Sequence, residues 1–131
     1  MRVITETDKL KIEFSYETAQ LVNKENNEII FQDDFYGDPT CGLIDKQNKW
    51  VVICGTHLTL WKENEVKRFE SKEFRNIHQI RLKTQNQIQI LTDPWDKKSA
   101  IWELDLNNNE LIKIEAFKSY FGQPYCEIVT W

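Results

Sequence analysis

The sequence predicts a mainly β protein, an antiparallel meander or sandwich of hairpin repeats with one short helix near the C-terminus. Three observations carry that expectation. Residues 20–31, 58–69 and 102–114 share one shape: a short apolar strand, a turn rich in Asn, Lys and Glu, and a second strand opening on Glu28, Glu65 or Glu110. Residues 10–16 alternate strictly, which puts Leu10, Ile12, Phe14 and Tyr16 on one face of a half-buried strand. Residues 50–54, Trp-Val-Val-Ile-Cys, form an unbroken apolar run closed by Gly55, as in a central strand covered on both faces.

Further strands are expected at residues 87–92 and 100–106. Between them Asp93, Pro94, Trp95, Asp96, Lys97, Lys98 and Ser99 have the residue types of an exposed loop. Residues 125–131 read as extended, and the apolar last residue suggests pairing into the sheet. Helix signals are weaker. Residues 115–121, followed by Gly122 with Pro124 just beyond, fit two turns stopped by a glycine cap. Ser71 is placed to cap a further turn over residues 71–75.

The repeat has a period. Glu28, Glu65 and Glu110 lie 37 and 45 residues apart, and the Gln-Asn pairs at Gln47 and Gln85 lie 38 apart. Periods near 40 residues with four strands each resemble the blades of a β-propeller. A closed ring needs typically four to eight blades, and 131 residues hold about three. The expectation is therefore a partial-propeller-like meander of eight to eleven strands.

Length also indicates a single domain spanning residues 1–131, able to bury roughly two thirds of its unfolded surface. With 40% hydrophobic and 29% charged residues the chain is too apolar for disorder. It has no apolar run of about 18 residues, and Glu6 falls where a signal peptide would be hydrophobic, so a cytoplasmic protein without membrane contact is expected. Cys41, Cys54 and Cys126 are an odd number for a disulfide scaffold and fit reduced thiols in or beside apolar segments.

No motif declares a chemistry. Cys54 and His57 are too few to specify a metal site, and no cofactor fingerprint is present. Cys41, in a turn-like segment, paired with His57 or His78 would make a small enzyme, but no nucleophile signature surrounds it. Bases interleaved with Phe69 and Phe74 could hold single-stranded nucleic acid, yet Glu70 and Glu73 interrupt them and the pI is near 5.2. Nucleic acid is therefore not the expected partner.

Charge points elsewhere. The net charge is −4, and residues 1–47 hold ten acids against five bases. Asp33, Asp34 and Asp38 surround Phe35 and Tyr36, while Asp93 and Asp96 flank Trp95. Carboxylates that steer and aromatic rings that anchor are the parts of a protein-docking surface. Asp33, Asp34, Tyr36, Asp38, Asp93, Trp95 and Asp96 are thus the candidate contacts for a basic protein partner, with the chain itself monomeric when free. In size, charge and β content the chain is similar in general character to small bacterial immunity proteins. That similarity implies a cytoplasmic inhibitor covering the basic active-site cleft of a toxin nuclease. The alternative is an oligomerising adaptor that presents strand edges.

Overall fold

The computed structural model describes residues 1–131 as twelve strands and no helix. β1 (Arg2–Glu6), β2 (Leu10–Ser15), β3 (Thr18–Asn23) and β4 (Ile29–Asp34) form the first sheet. The second holds β5 (Cys41–Ile44), β6 (Trp50–Cys54), β7 (Leu58–Lys62) and β8 (Glu65–Phe69). The third holds β9 (Ile77–Thr84), β10 (Gln87–Thr92), β11 (Ala100–Asp105) and β12 (Glu110–Ala116). Every ladder is antiparallel and joins strands consecutive in sequence. The chain divides into two compact units, Met1–Arg75 with the first two sheets and Asn76–Trp131 with the third.

The hairpins found by their glutamates are the last two strands of each sheet, β3–β4, β7–β8 and β11–β12. Their turns use asparagine where the chain needs a left-handed residue: Asn27, Asn64 and Asn109 have φ near +60°, as has Asn48 between β5 and β6. Asparagine enters that region more readily than other residues with a side chain. The sequence reading of eight to eleven strands falls short of twelve because β1, β5 and β9 are short or largely polar, with little apolar periodicity to mark them.

In the first unit, cross-strand register sets the core. Ile12 lies opposite Leu21, and Leu21 opposite Phe31. Leu10, Ile12, Ala19 and Leu21 are buried with Phe35, Val51 and Ile53, and Ile4, Ile44 and Trp61 pack around them. The first and second sheets meet there closely, since a Cβ on Gly42 would lie 2.9 Å from Ile12 Cδ1. Fully burying an isoleucine or leucine contributes about 1.5–3 kcal/mol, so this layer is the main support of the unit. On the opposite face of the first sheet, Gln20 donates to Glu13 at 2.6 Å and accepts from Gln32 at 3.0 Å. That polar ladder leaves the two faces chemically distinct.

In the second unit Ile88, Ile90 and Leu104 are fully buried. Leu91 and Ile101 form a separate cluster with Phe117 and Val129, against which Trp95, Tyr120, Cys126 and Trp131 pack. The expected helix over residues 115–121 is absent. Glu115 and Ala116 end β12, paired with Ile101 and Ala100, and turns follow. The ladder outcompetes a segment too short to hold a helix without packing. Gly122 does adopt φ +75°, but in a turn.

Residues 125–131 form no strand either. Side chains fix the end of the chain instead: Trp131 Nε1 donates to Gln79 at 2.7 Å, the Arg81 guanidinium lies 3.9 Å from the indole centroid, and Arg81 also donates to the Trp131 carbonyl. Ser71 caps no helix, but its Oγ accepts from Phe74 N at 2.9 Å while its own N–H donates back to the Phe74 carbonyl. The capping chemistry is present without the helix.

Candidate docking surface

Antiparallel register sorts the connections of the first unit into two ends. The turns holding Lys9, Asn23 to Glu25, Asn48 and Asn64 share one end with a cleft of about 410 Å³ floored by Leu10, Ile30 and Trp61. At the other end lie the β2–β3 turn with Tyr16 and Glu17, the β4–β5 connection with Phe35 to Thr40, and the β6–β7 turn with His57. The second end is the acidic one.

Asp33, the first of the expected contacts, faces inward. Its position on β4, opposite Ala19, aims the carboxylate at the second sheet. His57 Nε2 lies 2.8 Å from Asp33 Oδ2, Thr59 Oγ1 donates to the same oxygen, and Arg68 Nη1 is 3.7 Å from Oδ1. A guanidinium only donates, so Arg68 Nη2 at 3.1 Å from His57 Nδ1 makes that nitrogen the acceptor and leaves Nε2–H to donate to Asp33. His57 is thus fully buried and bonded at both ring nitrogens. Burial pushes the Asp33 carboxyl up, but the bonds from His57 and Thr59 and the Arg68 charge outweigh it and hold it below its usual range.

Phe35 closes the arrangement. Its ring stacks on His57 with centroids 4.1 Å apart and planes within 4°. Gly55 admits the ring, because a Cβ there would lie 2.7 Å from Phe35 Cδ2. Buried Phe35 and half-buried Asp33 therefore throw the neighbouring residues outward. Tyr36 is 86% exposed and Tyr16 76%. Asp34 is exposed and accepts from Thr18 Oγ1 at 3.1 Å, and Asp38 is exposed two residues beyond Tyr36.

Glu17 was missed by the sequence reading and belongs to this rim. It sits at φ +65°, its carbonyl accepts from Phe35 N at 2.7 Å, and its carboxylate takes a hydrogen bond from Tyr16. That bond and the Glu17 charge, with a smaller contribution from Asp38, push the Tyr16 hydroxyl's pKa up. Tyr16, Glu17, Asp34, Tyr36 and Asp38 thus form one acidic, tyrosine-bearing rim. Two-residue turns do not advertise such a role in sequence.

The second group of expected contacts lies in the other unit. Asp93 accepts from Trp95 N at 3.0 Å and Asp96 from Lys98 N at 2.7 Å, so both acids shape their loop. Trp95 folds back: its ring is 5.0 Å from Tyr125, 5.4 Å from His78 and 6.4 Å from Tyr120. Its Nε1 is buried without a hydrogen-bond partner. Burial lowers the His78 pKa, opposed by the charge of Asp93. Asp96 is exposed. Of the histidines weighed as partners for Cys41, His57 is committed to Asp33 and Arg68, and His78 lies in the second unit.

Fold and rim together describe an all-β protein of repeated four-stranded antiparallel sheets with an acidic, aromatic end. No protein-family model matches the chain, and no curated protein sequence matches it. Among solved structures it is similar to the crystal structure of the WD40 beta propeller domain of Doa1, with a TM-score of 0.57 at 12% identity. The likeness covers 87% of this chain and 39% of that one, so the chain spans well under half the length of its neighbour. At that identity the likeness is one of fold. It agrees with the blade-like period of the sequence. No helix is long and apolar enough to cross a membrane.

Proposed function

We propose that the chain is a protein-binding module whose acidic rim docks on a basic protein, specifically as an immunity-type inhibitor that covers the basic cleft of a nuclease toxin. One observation carries the reading: Glu17, Asp34 and Asp38 converge with two tyrosines, each more than three quarters exposed, at one end of the first unit. Tyrosine supplies rigid contact area at small entropic cost, and like-signed carboxylates steer an oppositely charged partner. Asp33 contributes indirectly, by holding the β4–β5 connection so that Tyr36 and Asp38 face outward. Asp93, Trp95 and Asp96 are a separate candidate contact patch on the second unit, with Asp96 its exposed charge.

The test titrates the chain calorimetrically with a nuclease toxin domain sought in the reading frame that precedes the gene. The double variant D34K/D38K is expected to weaken binding at least about tenfold, since reversing rim charges replaces attraction by repulsion. The wild-type affinity should also fall with salt, as it does for exposed charge pairs. Affinity unchanged by the double variant overturns the rim, and absence of binding by the wild type overturns the choice of partner.

A further inference from the structure

We propose that Cys41 and Cys54 form a dithiol–disulfide site, reversibly oxidised by exchange with a small disulfide such as oxidised glutathione. The second-sheet register places the two residues directly opposite each other on β5 and β6. Directly opposed residues of an antiparallel pair have Cα atoms about 4.5–5.5 Å apart, inside the roughly 4.4–6.8 Å window of natural disulfides. Directly opposed side chains lie on the same face of the sheet, and the two thiols are near enough to perturb one another.

The two thiols are unequal, and the inequality sets the order of events. Cys54 is fully buried, and burial, followed by its contact with Cys41, pushes its pKa well up. It does not start the exchange. Cys41 is half-buried, so it is the thiol that a reagent can reach. Thr40 Oγ1 lies 3.6 Å from Cys41 Sγ and 3.3 Å from the Cys54 carbonyl, so the hydroxyl stands at the junction of both residues. An accessible thiol backed by a buried one is the arrangement of attacking and resolving cysteines.

The exchange balances in two steps. The Cys41 thiolate attacks one sulfur of oxidised glutathione, which breaks its S–S bond and releases one glutathione thiolate. Cys54 then gives up its proton and attacks the Cys41 sulfur of the mixed disulfide, which releases the second glutathione thiolate. Two protein thiols are oxidised, one glutathione disulfide is reduced to two thiols, and excess reduced glutathione reverses both steps. Cys126 is a control within the same chain: it belongs to the second unit and donates to the Ile128 carbonyl at 3.3 Å.

The experiment equilibrates the folded full chain in glutathione buffers of increasing oxidised fraction, quenches with an alkylating agent and maps peptides by mass. The expected product is a Cys41–Cys54 linked peptide, two hydrogens lighter than the reduced pair, rising from near zero to dominance and lost again on added reduced glutathione. C41S is expected to abolish the link and leave Cys54 unmodified, with its circular dichroism unchanged; C126S should keep the link at the wild-type midpoint. Absence of the linked peptide at every ratio, Cys41 carrying glutathione alone, or a link that requires Cys126 overturns the proposal. It holds or fails independently of the docking partner.

Discussion

Asp33 shows how one residue is diverted from the use its composition suggests. The exposed neighbours Asp34 and Asp38 carry charge outward, whereas the Asp33 carboxylate serves His57, Thr59 and Arg68. D33N can keep its oxygen facing His57 and Thr59, but it discards the charge and turns an amide donor toward the Arg68 guanidinium. A loss of about 2 kcal/mol is expected, in the range for hydrogen bonds to charged groups, read as a lower urea midpoint. The pH dependence follows from the direction of the shift. With the folded pKa below the unfolded one, the native state binds fewer protons between the two values. Asp33's stabilisation is therefore complete above the ordinary carboxyl pKa and drains away as pH falls through the lowered one. Urea midpoints measured down an acid series should fall more steeply for wild type than for D33N. Gly55 belongs to the same knot. G55A forces a Cβ into the Phe35 ring and should cost about 1–3 kcal/mol, the range for overpacking, with loss of the upfield ring-current shifts that the Phe35–His57 stack produces.

Among the elements, the hairpins were readable and the chain end was not, for a physical reason. Asparagine at a left-handed turn position is a local requirement, so Asn27, Asn64 and Asn109 mark their turns without knowledge of the rest. N27A should cost about 1 kcal/mol because alanine enters the left-handed region less readily than asparagine, while N27G should be nearly neutral; thermal unfolding of both variants separates the two outcomes. Residues 115–121 misled because glycine, proline and a short apolar run suit a helix end and a strand end alike. What decides is the partner strand β11, which pairs Ile101 with Glu115 and which no local pattern reveals. Trp131 illustrates the same limit. Its anchors, Gln79 and Arg81, lie some fifty residues away. W131A should cost about 1–2 kcal/mol, less than a fully buried tryptophan, and should speed hydrogen exchange in residues 117–130 more than in β10 and β11. Uniform acceleration across the third sheet would show that the tail is no separate unit.

At the scale of the whole molecule, the blade-like period was visible because each sheet repeats the same turn chemistry near its last strand, whereas the rim was visible only in part. Asp34, Tyr36 and Asp38 are clustered in sequence, but the inward turn of Asp33 and the addition of Tyr16 and Glu17 depend on how β2 to β4 stack on β6 to β8. The same topology has a consequence for biosynthesis. Each ladder joins a strand to the one made just before it, so a nascent chain leaving the ribosome can complete one four-stranded sheet while the next is still being translated. Contacts local in sequence close small loops at small entropic cost. An arrested translation product exposing residues 1–75 should therefore already resist protease, before the third sheet has emerged.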